Sequence, residues 1–582
     1  MAFKQLGVAG LLIVSCLGTG LAQTPALGMP GAGMPVSSNQ ARILPVIAPH
    51  GAVSSQEHHA TRIGVEILKR GGNAVDAAVA VGFALAVTLP SAGNIGGGGF
   101  MLVHLAKSHE TIAIDYRETA PKAATRDMFL WADGQPDRRK STASGLGIGV
   151  PGTVAGLAEA EARYGSGKFT LADLIAPAIA LARDGIPVED GLYDTLTAES
   201  RFSIFPSSRA IFLKENKPFT RGDTLVQADL AKTLEAIAKG GSDAFYRGPI
   251  AEKIVAAVDG FGGVMAADDL ASYRAILRKP VTGTYRGYEI ASMPPPSSGG
   301  VHLIEILNIL EGFDLARLGQ GSAAQIHLEA EAEKRAYADR AAYLGDPDRV
   351  KVPVKGLISK AYAAEIRAGI DVDHARRASE IAAGKPLPYE SDQTTHFSVV
   401  DADGNAVANT YTLNYFFGVG LVADGTGVLL NNELDDFSAL PGASNSYGMV
   451  GGAANSVAPS ARPLSSMSPT IVFKDGKLFM VTGSIGGSRI ITHVLQAIIN
   501  VIDNGMNIAE AITVPHVHDQ WQPDVLLVEA GLSPDTKRLL EAMGHQLVVG
   551  NASGGTNSIV VGPNGLEAAA EPRYRGTLAD GY

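Results

Sequence analysis

Asp392-Gln393-Thr394-Thr395-His396-Phe397-Ser398-Val399-Val400 alternates polar and apolar side chains from Thr395 onward and runs into the turn sequence Asp401-Ala402-Asp403-Gly404. A second run, Asn405 to Thr412, follows it, and two such runs about a short polar turn predict a β-hairpin. Thr394 stands at the head of the first strand. A Thr-Thr pair is a common way to begin a strand. It also offers chemistry. A threonine hydroxyl is a poor nucleophile without a base beside it, and a chain cut before Thr394 would supply one in the freed α-amine. That amine titrates near pH 8, so much of it is neutral at working pH and able to accept a proton.

Upstream, helical spacing over Ala60 to Lys69 is closed by Gly71-Gly72, and Asn73 is placed to cap a nearly all-apolar helix, Ala74 to Val87. Such a helix is expected between layers. Pro90 ends it, and the glycine-rich loop Ala92-Gly93-Asn94-Ile95-Gly96-Gly97-Gly98-Gly99-Phe100 follows. The loop fits neither the dinucleotide-binding nor the P-loop pattern, and reads as a tight turn before a strand. Strands are predicted at Phe100 to Leu105 and Thr111 to Tyr116, and Arg117 closes the second. An arginine there is either a solvated charge or a bidentate holder of a carboxylate. Further helices are predicted at Leu171 to Arg183, Gln227 to Lys239, Pro249 to Val258, Ala267 to Ile276, Val301 to Leu310, Ala323 to Leu344 and Ser488 to Ile502. Glu329, Glu331 and Glu333 in the long helix read as a solvated face. Polar sequence from Ala378 to Asp392 leads into the hairpin.

Downstream, strands are predicted near Gly427 to Leu430 and at Pro469 to Phe473, the latter turning through Asp475-Gly476 into Leu478 to Thr482. A last hairpin surrounds Pro563-Asn564-Gly565. Gly486-Gly487, between a strand and a helix, has no side chains to block its N–H groups. That suits an oxyanion hole as well as a simple turn, and a helix N-terminus favours negative charge. Hairpins combined with strongly apolar helices fit helices covering two antiparallel sheets, although pattern alone leaves other α/β layer folds open.

The bulk properties exclude several classes. The 582 residues carry a formal net charge of −11 without a dense Lys/Arg block, so no nucleic acid partner is expected. Cys16 is the only cysteine, which rules out an intrachain disulfide and a cysteine metal cluster. His516-Val517-His518-Asp519 is a weak metal signal without a partner cluster, so neither metal nor cofactor is expected. Lys4, the apolar run Leu6 to Leu17 and the small residues before Ala22 read as a secretory signal over residues 1–22. The run is too short and glycine-rich for a membrane span. Ile13-Val14-Ser15-Cys16 also resembles a bacterial lipoprotein box, which makes lipid anchoring at Cys16 a second reading. Residues 23–47, rich in Pro, Gly, Ser and Met, are expected to form a loose mature N-terminus.

Gln393-Thr394-Thr395-His396-Phe397 with Tyr411-Thr412-Leu413-Asn414 resembles the small-subunit start of the γ-glutamyltransferases. So do Asn431-Asn432-Glu433-Leu434-Asp435-Asp436-Phe437-Ser438, Arg462-Pro463-Leu464-Ser465-Ser466-Met467-Ser468-Pro469 and Gly483-Ser484-Ile485-Gly486-Gly487-Ser488-Arg489. The glycine-rich loop and Asp115-Tyr116-Arg117-Glu118 match in the first part of the chain, and the similarity runs in family order from about Ala48 to Tyr582. The resemblance implies an N-terminal-nucleophile hydrolase of α+β class, an αββα four-layer sandwich shared by two subunits, 48–393 and 394–582. It implies autocatalytic cleavage between Gln393 and Thr394, and transfer of a γ-glutamyl group from glutathione through Thr394 to water, an amino acid or a dipeptide. Thr412 would orient the nucleophile, and Gly486 and Gly487 would form the oxyanion hole. Arg117, Ser465 and Ser466 would hold the substrate α-carboxylate, and Asn414, Glu433 and Asp436 its ammonium. Some bacterial members carry glutamine where this chain has Glu433; either group accepts a hydrogen bond. Pro441 to Gly452, with Tyr447, resembles the lid loop of part of the family. The expected location is periplasmic or secreted. Two rivals remain: a cephalosporin or glutaryl acylase of the same superfamily, against which Arg117 and Ser465-Ser466 argue, and an uncut, non-catalytic binding protein.

Overall fold

The computed structural model describes residues 43–385, 395–445, 448–550 and 554–582. The signal-peptide and Cys16 expectations, the Gln393-Thr394 cleavage site and the lid residue Tyr447 lie outside the described residues.

In chain order the principal strands are β1 (Val46–Ala48), β2 (Ala52–Ser55), β3 (Gly98–Leu105), β4 (Glu110–Tyr116), β5 (Ile276–Arg278), β6 (Val281–Tyr285) and β7 (Tyr288–Ser292). They continue with β8 (Thr395–Val400), β9 (Ala406–Thr412), β10 (Thr470–Lys474), β11 (Lys477–Thr482), β12 (Ser558–Gly562), β13 (Gly565–Ala569) and β14 (Leu578–Gly581). They form two seven-stranded sheets. One runs β1-β13-β12-β11-β10-β7-β6 and the other β14-β2-β8-β9-β3-β4-β5. Every neighbouring pair in both is antiparallel. Each sheet contains strands from both before and after position 394. The predicted hairpin β8-β9 is the centre of the second sheet, flanked by β2 and β3 from the first part of the chain.

Side-chain alternation produces the layers. On β9, Val407 and Tyr411 face one way and join Phe397, Val399, Met101 and Val103 against helices α1 (His58–Lys69) and α2 (Ala74–Thr88). Ala406 and Ala408 face the other way, where they meet Ile471, Phe473, Val481 and Ile559 of the first sheet. That sheet turns Tyr285, Ile290, Val472 and Met480 outward onto α3 (Gly299–Leu310), α4 (Ala323–Tyr343) and α5 (Arg489–Ile502). The order is helices, sheet, sheet, helices, the αββα sandwich. Both faces of both sheets are covered. All 15 residues of α2 are buried, and Asn73 caps it in a capping box with Asp76. At the β10-β11 turn Asp475 (φ 51°) and Gly476 (φ 71°) are both left-handed, as a two-residue hairpin of this hand requires.

Two expectations are corrected. The helix predicted to reach Ile276 stops at Ser272, and Ile276 starts β5, which pairs with β4. Glu329, Glu331 and Glu333 are buried rather than solvated. Glu331 is paired with Lys334 and Arg335, Gln325 Nε2 donates to Glu329 at 2.8 Å, and the Asp519 N–H donates to Glu333 at 2.8 Å. Partners from the same helix, together with the Asp519 backbone, allow a helix with so many charges to sit inside.

Candidate active site

The end of β9 is clamped from below by the glycine-rich loop. Asn94 Nδ2 donates to the Thr412 carbonyl at 2.8 Å, while Asn94 Oδ1 accepts from the Gly97 N–H (2.9 Å) and Thr153 Oγ1 (2.8 Å). A Cβ on Gly97 would lie 1.9 Å from the Thr412 carbonyl oxygen, so this approach excludes any side chain. The tight turn read from sequence is thus also the support of Thr412. Thr412 Oγ1 accepts from the Asn414 N–H at 2.8 Å, and Asn414, at the unusual φ of 71°, donates through Nδ2 to the Asn432 carbonyl at 2.9 Å. β8 begins with Thr395 opposite Tyr411, and Thr395 Oγ1 donates to Gln56 Oε1. His396 is enclosed between Thr410 Oγ1 and Ser398 Oγ, each 2.9 Å away, and burial lowers its pKa to about 3. It is a neutral bridge within the sheet.

Thr412, Asn414 and Gly486 line one cavity of about 990 Å³. Its wall also includes Glu57, His58, Phe416 and Arg489. Gly486 (φ 117°) and Gly487 (φ 72°) make the backbone turn into the N-terminus of α5, with conformations that L side chains avoid.

Arg117 lies in a different environment. It is fully buried at the end of β4. Nη2 reaches Asp436 Oδ2 at 2.6 Å and Nη1 pairs with Glu433. Nε donates to the Pro463 carbonyl and Nη2 to the Leu464 carbonyl, each at 3.0 Å, and Glu118 Oε2 is 3.8 Å from Nη1. One guanidinium therefore ties β4 to two loops from the far side of position 394. Burial opposes its charge, but Glu433, Asp436 and Glu118 outweigh that and hold its pKa above the ordinary arginine value. Burial pushes Glu433 up, against the pull of Arg117, and pushes Glu118 up to about 7, again with Arg117 opposing. Ser465 sits beside this cluster with its hydroxyl accepting from the Met467 N–H at 3.2 Å. Ser466 Oγ and Glu433 Oε2 are buried and make no hydrogen bond. A cavity of about 30 Å³ separates Asp436 from Asn445 and Met449 of the loop compared with a lid.

The residues predicted from sequence thus fall into two groups: Thr412, Asn414 and Gly486 around the open cavity, and Arg117, Glu433 and Asp436 in a dry ion cluster beside Ser465-Ser466. Sequence reading gave no role to Asn431, which holds the two halves of the site together. Its Nδ2 donates to the Gly96 and Gly149 carbonyls (2.8 and 2.9 Å), and its Oδ1 accepts from the Gly149 and Glu433 N–H groups (2.9 and 3.0 Å). It stood inside a quoted motif, but its partners are distant in sequence. Gln56 had no motif at all. His516 and His518 are both buried; His518 Nδ1 meets Thr492 Oγ1 at 3.0 Å, and His516 stacks on His493 at 4.4 Å.

The family described as gamma-glutamyltranspeptidase matches residues 60–580. The chain is 54% identical over 583 residues to the glutathione hydrolase proenzyme of Escherichia coli (strain K12), covering 100% of this chain and 99% of that one. Among solved structures it is similar to a cephalosporin acylase from Bacillus halodurans, with TM-score 0.82 and 27% identity over 94% of this chain and 99% of the other. It is also similar to the gamma-glutamyltranspeptidase of Helicobacter pylori, with TM-score 0.56 and 47% identity over 60% of this chain and 97% of that chain. Four layers, ordered motifs and near-complete coverage agree, and the chain belongs to the gamma-glutamyltranspeptidase family.

Proposed function

We propose that the protein is a glutathione hydrolase and γ-glutamyltransferase, matured by its own cleavage between Gln393 and Thr394. Thr394 is joined to Thr395, whose cross-strand partner is Tyr411, so Thr412 neighbours the position opposite the chain that leads to the nucleophile. Before cleavage Thr394 has no free amine. Its hydroxyl adds to the Gln393 carbonyl, the C–N bond breaks as the nitrogen takes a proton, and water hydrolyses the resulting ester. The products are a large subunit ending at Gln393 and a small subunit beginning at Thr394. In turnover the Thr394 amine takes the proton of its own hydroxyl as that oxygen attacks the γ-carbonyl of the donor. Thr412 holds the hydroxyl in line, and the N–H groups at Gly486 and Gly487 receive the developing oxyanion. The proton passes to the departing amine, and water or an amino group then releases the γ-glutamyl ester.

Donor recognition is supported by two of the unpartnered buried atoms in the Arg117 and Ser465-Ser466 region. Glu433 Oε2 lacks a donor and Ser466 Oγ lacks an acceptor. A zwitterionic amino-acid end brings an ammonium for the first and a carboxylate for the second. It enters a charged, dry site without leaving a net unpaired charge. Arg117 and Ser465 would complete the carboxylate clamp, Asn414 and Asp436 the ammonium clamp, and Tyr447 would close over it. A glutaryl donor has no ammonium and leaves Glu433 unsatisfied, which disfavours the acylase rival. Export by residues 1–22 to the periplasm or beyond is part of the same proposal, with N-terminal sequencing of the large subunit as its check. A lipidated Cys16 would replace the secreted form with an anchored one.

The test is release of p-nitroaniline from γ-glutamyl-p-nitroanilide, with and without a dipeptide, against glutaryl-p-nitroanilide. Turnover of the γ-glutamyl compound, stimulated by the dipeptide, is expected; preference for the glutaryl compound would overturn the reading.

A further inference from the structure

Outside the residues assigned above, one cluster on the cavity wall has the composition and spacing of a metal site. Glu57, His58 and His59 each offer a ligand atom within 4.8 Å of the others, and they are the one such group among the described residues. His58 Nδ1 lies 3.0 Å and His59 Nδ1 2.8 Å from the same oxygen, Glu57 Oε1. The two rings face each other with centroids 4.0 Å apart. All three side chains are mostly covered, at 11%, 17% and 27% exposure for Glu57, His58 and His59, yet all three line the cavity that holds Thr412, Asn414 and Gly486.

We propose that Glu57, His58 and His59 form a binding site for a divalent transition-metal ion of the zinc class, with its open coordination position facing that cavity. Two imidazole nitrogens and one carboxylate oxygen are the donor set of zinc sites that keep a fourth position for water or an exogenous ligand. With bonds of about 2.0–2.1 Å, a tetrahedral ion spaces its ligands by about 3.3 Å. The observed separations of 2.8 and 3.0 Å need only a small opening of the two rings to reach that spacing. Both nitrogens already converge on one oxygen, so an ion there would bind where His59 Nδ1 now hydrogen-bonds Oε1 and His58 Nδ1 lies against it.

The backbone prepares the carboxylate. Glu57 is the N-cap of α1, where Oε1 accepts from the His59 N–H at 3.0 Å and Oε2 from the Ala60 N–H at 3.1 Å. The group is thereby fixed in position, and each oxygen keeps a lone pair. A cation near a helix N-terminus meets the positive end of the dipole, equivalent to about half an elementary charge. The full negative charge of Glu57 exceeds that, and Glu189 Oε2, 3.7 Å from His58 Nε2, adds a second carboxylate on the outer side.

The untagged full-length protein, stripped with a chelator and dialysed, is titrated with zinc chloride against a chromophoric chelator. One site is expected, with affinity in the micromolar range or tighter, and the cobalt-substituted protein should show the visible absorption of a four-coordinate ion. His58→Ala and His59→Ala should each weaken zinc binding at least tenfold and abolish the cobalt band, while the melting temperature stays near wild type because the Glu57 cap is retained. Glu57→Gln, which keeps a cap acceptor, should lose the ion as well. Failure of the wild type to compete with the chelator, or undiminished binding by the His58→Ala/His59→Ala double variant, would overturn the proposal.

Discussion

The Arg117 cluster and the Thr412 cavity, which we assign to one active site, are built on opposite principles. Around Arg117 every group is buried, the guanidinium is shared between Glu433 and Asp436, and a third carboxylate, Glu118, stands 3.8 Å away. Around Thr412 the polar groups are held by backbone and asparagine contacts, and the space opens to about 990 Å³ with Phe416 58% exposed at its wall. A dry, charged cluster accepts only a ligand whose own charges pair with its groups, because an uncompensated buried charge costs several kcal/mol. A broad, partly apolar cavity discriminates weakly, since one methylene more or less changes binding by only about 1–3 kcal/mol. The contrast teaches that the donor's amino-acid end should be read strictly and its leaving group or acceptor loosely.

The largest effect should come from breaking the dry side. Arg117→Ala leaves Glu433 and Asp436 facing each other without a cation and should destabilise the fold by about 3–5 kcal/mol, read by urea unfolding. It should also lower kcat/KM for the γ-glutamyl donor at least tenfold, and Arg117→Lys should recover only part of it, because a point charge cannot reproduce the fork. Donor turnover by Arg117→Ala equal to wild type would remove Arg117 from the recognition set.

An intermediate effect concerns pH. Burial raises the Glu118 pKa to about 7 from 4.5, so the folded protein holds a proton that the unfolded chain releases. The resulting stabilisation is complete below about pH 4.5 and is lost as pH rises to about 7. Glu118→Gln should flatten that part of the stability profile, a difference on the order of 1–3 kcal/mol between the two ends. Parallel profiles for the two proteins across this window would contradict the assignment.

The smallest effect belongs to the open side. Phe416→Ala should change stability by no more than about 0.5 kcal/mol and leave donor KM unchanged. Only acceptor preference should shift, measured as relative transfer rates to a panel of dipeptides. A large change in donor KM would show that the two sides are not separable.

The same division governs what was legible in the chain. The β8-β9 hairpin was readable because its information is local: alternation, a turn at Asp401–Gly404, alternation again. The helix Ala74–Thr88 was readable because its cap and its apolar run are contiguous. The layer order was legible only through the family resemblance and not through pattern, because both sheets are covered on both faces and their strands lose the polar-apolar contrast that marks an outer face. Glu331 was misread as solvated because its partner Arg335 lies four residues along the same helix, a pattern equally at home on a surface, and only tertiary packing places that pair inside. Ile276 was taken into a helix because its strand partner, Asp115, is far away in sequence. The family motifs implied that Arg117, Glu433 and Asp436 serve one site. Their direct pairing, and the joining role of Asn431, required the folded chain.

The central claim is that Thr394 is both the cleaving group and the nucleophile. Intact-mass measurement of wild type, Thr394→Ala and Thr394→Ser, each assayed for γ-glutamyl transfer, tests it most directly. Wild type should give two chains, the smaller beginning at Thr394, and should be active. Thr394→Ala should remain one inactive chain. Thr394→Ser, which keeps a hydroxyl, should cut more slowly and retain part of the activity. Two chains from Thr394→Ala, or an active uncut wild type, would contradict the account.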